Sequence, residues 1–337
     1  MGCVRFALAM LVAISHVPEV FLPINVGVVS VIGFYFISGY LMRLSFARFA
    51  ELSPRPVAHF YRDRFLKIFP AYWTVVAATL LAAWLLGPTA RTDWPLQLPT
   101  AIDLLANLAV IPLNYNLASL GLVPPAWSLA VELQFYLLVP WLFRLSPAWR
   151  GRLLALSAAA QLAFLSFATT SDAFGYRYLV GVLPAFLTGF MLAATDPRER
   201  AATWLAWLAW LGYLVFVAFP FGTLKHTHAK EVLFGLMVAA PAVFWVLHAR
   251  LPLPAGYATL DRTLGDLAYP VFLVHFLALY LLGKLAGGLA SGSAAWFGAY
   301  YGLTLLLAWA VHRLAQAPSE RLRLAVRHFP SLKSGGA

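Results

Sequence analysis

The chain has 337 residues, 62% of them hydrophobic and only 11% charged, with a formal net charge of +11. A soluble domain carries about 25% charged residues, so this composition excludes an ordinary soluble enzyme and points to a membrane protein. The single cysteine, Cys3, excludes a disulfide framework and a cysteine-ligated metal site, and the basic surplus fits loops beside a membrane better than a nucleic-acid surface.

Runs of about 20 apolar residues recur along the chain and predict membrane-spanning helices. Ten are expected, near 4–22, 25–43, 69–87, 126–145, 151–169, 177–195, 202–221, 231–248, 266–285 and 295–315. The expected fold is all-α: a polytopic membrane protein of about ten transmembrane helices, crossing the cytoplasmic (inner) membrane many times. The first run, "MGCVRFALAMLVAISHV", has the pattern of a short signal sequence, but no small-x-small site follows it, so it is read as retained. A myristoylation reading fails because Phe6 stands where that pattern takes Ser or Thr. The segment "IDLLANLAVIPL" (102–113) is apolar but short for a crossing, and is placed in the 88–125 loop, lying on the membrane surface.

Orientation follows from the basic residues. With the N-terminus inside, nineteen of the 24 Lys and Arg residues fall on the cytoplasmic side and five on the other, which fits cytoplasmic N- and C-termini. An eleventh span at 102–113 would swap every later loop and largely remove this bias. Residues 1–315 then form one transmembrane domain and 316–337 a basic cytoplasmic tail, whose ordinary reading is a solvated topogenic segment.

Few ionisable groups lie far from a span end: His16, Glu132 and His275. Glu19 lies closer to the outer end of its span, and His248 and His312 fall near cytoplasmic ends. Deep charges are costly in lipid and mark function by default; the alternative is a buried group satisfied by a neighbouring helix. Helical rise places His16 roughly 18 Å from the cytoplasmic end, Glu132 roughly 21 Å and His275 roughly 14 Å, so the three share a layer from the midplane outward. Arg5 and His16, 11 residues apart, fall about 20° from a whole number of turns and share one helix face. The alternative is a topogenic Arg and an unrelated His.

A third cluster, "FYRDRFLKIFPAYW" (60–73), places Arg62, Arg64 and Lys67 before the third span, with Pro70 in its first turn and Tyr72 and Trp73 suited to an interfacial belt. It reads either as a basic anchor on anionic lipid or as a cationic mouth for a large anionic donor. The deep His residues lack metal-ligand spacing, so no metal is expected.

Five patches, in order along the chain, resemble the acyltransferase 3 family of integral-membrane O-acyltransferases that modify extracytoplasmic carbohydrates. "RFALAMLVAISH" resembles its opening motif, a basic residue, ten residues, then His. "GFYFISGYLM" (33–42) is similar to its FF-x-x-SG-[FY] pattern. "RDRFLKIFPAYW" is similar to its R-x-x-R-[IL]-x-P-x-[YW] stretch, with Arg64 and Lys67 at the two basic places. "WSLAVELQFYLLVP" resembles WSL-x-x-E-x-x-FY, the most specific single match. "LGDLAYPVFLVHF" (264–276) resembles its late SY-x-x-YL-x-H motif. Three positions depart: Lys67 replaces the usual second Arg, and Ala268 and Phe272 replace a Ser and a Tyr.

The resemblance implies a membrane acyltransferase of the class that moves groups other than aminoacyl groups, with residues 1–315 as its catalytic domain. Acyl-CoA, with acetyl as the default acyl group, is the expected cytoplasmic donor substrate rather than a permanently bound cofactor. The expected acceptor is a hydroxyl of an extracytoplasmic carbohydrate, such as an exopolysaccharide unit, or of a lipid-linked sugar. Membrane lipids are the other expected partners. Arg5, Arg64 and Lys67 would hold the CoA phosphates. His16 would act as general base or acyl carrier, with Glu132 orienting it or steadying its charge, and Glu19 as a rival partner. Ser38, Trp127, Tyr269 and His275 are candidate substrate contacts, with a structural role for His275 equally open. The alternative from a different class is a transporter or flippase of a lipid-linked sugar or acyl group, which would also place ionisable residues at mid-membrane; the sequence shows no paired broken helices to favour it.

Overall fold

Polar residues between the apolar runs set the helix ends. In the computed structural model, which describes residues 1–17, 23–88, 94, 96–115, 121–218, 228–248, 254, 256–286 and 289–327, these residues form helices and connecting turns, with no strand among them. The longer helices are α1 (Gly2–Ser15), α2 (Val26–Leu52), α3 (Pro56–Leu86), α4 (Ala101–Ala109), α5 (Ala126–Arg144) and α6 (Pro147–Leu165). They continue with α7 (Leu179–Leu192), α8 (Pro197–Tyr213), α9 (Ala229–His248), α10 (Tyr257–Leu285), α11 (Ala294–Val311) and α12 (Ala317–Arg327). The Asn25 side chain accepts from the amides of Gly27 and Val28 and starts α2. Ser146, Asp196 and Ser293 do the same for α6, α8 and α11. Proline occupies the first helical position of α3, α6 and α8, where its missing N–H costs nothing. Glu19 and residues 328–337 lie outside the described residues, as does the side chain of His248.

Among the described residues, six helical segments are long and apolar enough to cross a membrane: Val26–Leu52, Pro56–Leu86, Ala126–Arg144, Pro197–Val217, Tyr257–Leu285 and Ala294–Arg327. A seventh arises if Thr169–Arg177 and Leu179–Leu192, bent by 41°, count as one broken span.

Three local expectations need correction. The first helix does not run through 4–22; it stops at Ser15, and His16 is its C-cap. Fourteen residues give about 21 Å, short of a 30 Å hydrocarbon core. Pro18 accounts for the early stop, because a proline disfavours the helical conformation of the residue before it, Val17. The third helix starts at Pro56, not near 69, so Pro70 lies inside it and Arg62, Arg64 and Lys67 are helical. Tyr72 is fully buried rather than interfacial. Helix α4 is a nine-residue amphipathic turn capped by a reciprocal Thr100–Asp103 box, with Ile102 and Leu105 exposed along one face and the indole N–H of Trp73 donating to the Leu108 carbonyl at 3.1 Å.

Helix α2 is the hub. It crosses α7 at Gly39 and Gly189. A Cβ at Gly39 would lie 2.0 Å from the Phe186 carbonyl oxygen, and one at Gly189 would lie 2.0 Å from that of Phe36. Only glycine on both sides lets the backbones approach this closely. One turn further along α2, Arg43 donates to Glu199 of α8 at 2.6 Å, and Arg150 of α6 donates to the same carboxylate at 3.0 Å. Helix α1 is held against α10, where the Asp261 carboxylate accepts from the amide of Cys3 at 2.9 Å.

Candidate functional site

Four helix stripes converge on one cavity of about 440 Å³. Along α2 the stripe runs Phe34, Ser38, Leu41, Ser45 and Arg48, residues three or four apart that project from one face. Helix α5 contributes Ser128, Glu132 and Tyr136 at strict four-residue spacing. Helix α3 adds Arg64, Lys67 and Ile68, while Arg62 and Phe65 on its other side are exposed. Helix α10 closes the wall with Ala268, Tyr269 and Phe272, and Arg5 enters from α1.

The cavity is polarised along its length. One end is cationic, formed by Arg5, Arg48, Arg64 and Lys67 together with Arg323 and Arg327 of α12. Arg5, Arg48 and Lys67 have no carboxylate within ion-pair distance among the described residues. Arg64, Arg323 and Arg327 all converge on Asp63, which is completely buried. Further in, the Ser38 hydroxyl donates to Oε1 of Glu132 at 2.6 Å and the Tyr136 hydroxyl donates to the same oxygen at 2.5 Å. The guanidinium of Arg64 lies 5.9 Å from the centre of the Tyr136 ring, within cation–π range. A succession of contacts therefore runs Asp63, Arg64, Tyr136, Glu132, Ser38, with the Arg64–Tyr136 step made through the ring face. The Tyr269 hydroxyl donates to the Ile68 carbonyl at 3.1 Å and ties α10 to α3 beside these contacts. With Ala268 and Phe272 in place of a Ser and a Tyr, the α10 wall is otherwise apolar.

His16 stands apart. Its Nδ1 lies 2.8 Å from the Val12 carbonyl oxygen. A carbonyl only accepts, so Nδ1 carries a proton, and in the neutral form of the ring the lone pair is on Nε2. The ring packs at 5.3 Å from His275 and 4.7 Å from Phe276, centre to centre. His275 is fully buried, and among the described residues neither of its ring nitrogens makes a hydrogen bond of full geometry. Phe272 lies 6.3 Å from His275 on one side and 6.2 Å from Phe34 on the other, and both phenylalanines line the cavity. The two imidazoles thus sit behind an aromatic wall at the inner end of the cavity.

This arrangement revises three expectations. Arg5 lines the cavity whereas His16 does not, because α1 ends before His16 and the last turn directs the ring toward α10. The contacts of Glu132 fall elsewhere than expected: its Oε1 accepts from Ser38 of α2 and from Tyr136 of its own helix. Trp127 is also outside the cavity, held between the Arg177 guanidinium at 4.8 Å and the Tyr176 ring at 4.9 Å. The structure brings Arg5, Ser38, Arg64, Lys67, Glu132 and Tyr269 together around one space.

Sequence reasoning did not nominate Arg48, Tyr136, Arg323 or Arg327. Tyr136 was signalled by its four-residue spacing from Glu132, and Arg48 by its seven-residue spacing from Leu41. The tail arginines share a helix face at i and i+4, a pattern a solvated segment does not require. Helix α12 is not solvated throughout: Arg323 is 4% exposed and joins Asp63 from 260 positions away.

A family model described as an acyltransferase domain matches residues 1–313. Among curated proteins, an uncharacterized protein of Aquifex aeolicus (strain VF5) is 29% identical over 169 residues, which is 48% of this chain and 72% of the relative. No solved structure matches.

Proposed function

Since the chain belongs to the acyltransferase 3 family, a family of membrane acyltransferases, we propose that it moves an acyl group from cytoplasmic acyl-CoA to a hydroxyl of an extracytoplasmic carbohydrate or glycolipid. The observation that carries this reading is the polarised cavity, cationic at one end and apolar with a hydroxyl–carboxylate cluster at the other. A CoA thioester has the complementary shape: a polyanionic head, then a long uncharged arm ending at the reacting carbon. In this scheme Arg5, Arg64 and Lys67 hold the head by charge-assisted hydrogen bonds. The arm lies along the α2 stripe, past Leu41 toward Ser38. Two features are added from the basic-residue bias and the apolar periodicity: about ten crossings within residues 1–315, and both termini in the cytoplasm.

His16 serves as the base. A sugar hydroxyl is a weak nucleophile, and an imidazole that takes its proton during attack on the thioester carbonyl typically contributes 10²–10⁴-fold. The Nδ1–H bond to Val12 supports this role, since it fixes the tautomer that leaves Nε2 basic. A covalent acyl-His route uses the same nitrogen, and ping-pong kinetics would distinguish it. For the thioester to meet His16, the Phe34–Phe272 wall must open, which assigns these rings to the passage between donor arm and base. Glu132 acts by fixing the Ser38 and Tyr136 hydroxyls where the arm ends rather than by touching the imidazole.

The test uses membranes containing the full chain, radiolabelled acetyl-CoA and a carbohydrate acceptor. Transfer that disappears in His16→Ala, with the variant still inserted at the normal level, supports the enzyme. Movement of an unacylated lipid-linked sugar across the bilayer, with no label transferred, would overturn it in favour of a flippase.

A further inference from the structure

The cationic end of the cavity carries more charge than its own acids can neutralise. Asp63 offers two oxygens, about four acceptor sites, to three guanidiniums that bring about fifteen N–H donors. Arg64 Nε donates to it at 3.0 Å, Arg323 Nε at 3.2 Å and Arg327 Nε at 2.7 Å. Glu320 takes a further contact from Arg323. Arg5, Arg48 and Lys67 add three cations with no carboxylate in reach among the described residues. Six basic side chains, the buried Lys67 among them, face Asp63 and Glu320 at this end and Glu132 further in, so basic groups outnumber acidic ones by three in a partly enclosed space. Such crowding is unfavourable unless an anion of comparable charge completes it.

A diphosphate supplies only part of that charge. A phosphomonoester adds about 1.5 to 2 negative charges at neutral pH and three acceptor oxygens. The cations beyond Arg5, Arg64 and Lys67 are Arg48 from α2 with Arg323 and Arg327 from α12; all three line the same cavity, and the latter two meet at Asp63. Guanidiniums suit such a group. We propose that these three residues form a phosphomonoester site, which recognises the 3′-phosphate of a coenzyme-A-type donor and makes α12 a wall of the donor site. This rests on the donor reading above and adds which part of the donor is selected, and by which residues.

The experiment measures equilibrium binding of radiolabelled acetyl-CoA and its 3′-dephospho form to the full chain in nanodiscs of zwitterionic phospholipid. The wild type should bind acetyl-CoA about tenfold or more tightly than the dephospho form, the scale of one lost charge-assisted contact. Arg48→Gln and Arg327→Gln should each weaken acetyl-CoA toward the dephospho level and leave the dephospho form unchanged. Arg48 makes no ion pair among the described residues, so its variant keeps the fold even if Arg327→Gln undocks α12; unchanged melting temperatures would verify this. Equal affinity of the wild type for the two donors overturns the site while leaving the donor reading intact. So does a variant that weakens both donors alike, which would reduce these arginines to a general field. Anionic lipid as the true occupant would appear as inhibition of acetyl-CoA binding by added phosphatidylglycerol with no discrimination between donors, and it too overturns the assignment. No binding of either donor to the wild type removes the donor reading and this inference together.

Discussion

Ser38 and Glu132 join α2 to α5 across the cavity through a 2.6 Å hydrogen bond, and Tyr136 reaches the same carboxylate oxygen from one turn along α5. The Ser and the Glu come from two separate sequence patterns, "FISGY" and "WSLAVE", so each pattern supplies half of one contact. Two hydroxyl donors on one oxygen make a coupled unit rather than two independent bonds.

Ser38→Ala and Tyr136→Phe should each lower kcat/KM for acyl transfer by roughly tenfold to a hundredfold, the scale of a hydrogen bond to a charged acceptor. The double variant should lose less than the product of the single losses, because either change alone already loosens the carboxylate. The measurement is radiolabel transfer normalised to inserted protein. Full activity in both single variants would reduce this cluster to helix packing.

Gly39 explains why the serine before it is so well placed. Its α2–α7 crossing admits no side chain, with the Phe186 carbonyl oxygen 2.0 Å from any added Cβ. Gly39→Ala should push the helices apart and cost about 1–3 kcal/mol or more, the usual range for overpacking a tight site. It should lower the melting temperature in detergent and reduce transfer with it. Gly212→Ala, where an added Cβ meets nothing within 4 Å, is the control and should do neither.

The all-helical class was legible in the sequence because lipid demands long apolar runs, while six of the described helical segments, against ten expected, are long and apolar enough to cross a membrane. What pattern could not supply was the ending of α1 at Ser15 and the start of α3 at Pro56. In the first case Pro18 lay within an otherwise apolar run. In the second, the charged residues ahead of the apolar run are helical, with Asp63 pairing Arg64 and receiving Arg323 and Arg327 from α12. The cavity-lining Arg5, Arg64, Lys67, Glu132, Ser38 and Tyr269 were legible from motif and depth. Which carboxylate met which partner was not, since depth along a helix says nothing about rotation toward a neighbour. Glu132 shares a layer with His16 yet turns to Ser38.

His275 offers a test that separates stability from chemistry. Among the described residues neither nitrogen of this buried imidazole makes a hydrogen bond of full geometry, which leaves part of its burial cost uncompensated. His275→Phe should therefore leave the melting temperature unchanged or raise it, while transfer falls at least about tenfold, because the ring 5.3 Å away is that of His16. A loss of both together would mark His275 as a packing residue.

Lys67 isolates the electrostatics of the donor end, because it lines the cavity without an ion pair among the described residues. Removing it leaves no buried acid unpaired, unlike a change at Arg64, which would strip Asp63 of a partner. Lys67→Ala should raise KM for acetyl-CoA about tenfold and leave KM for the acceptor unchanged, since a charge-assisted contact to phosphate contributes at about that scale. Lys67→Arg should restore the donor KM or improve on it, because a guanidinium can grip a phosphate with two parallel bonds where an ammonium offers a point charge. The effect should shrink as salt rises and screens the mouth. Initial rates over a grid of both substrates at two ionic strengths decide the matter. An acceptor KM that moved as much as the donor KM would shift Lys67 away from the phosphates and toward the transfer step.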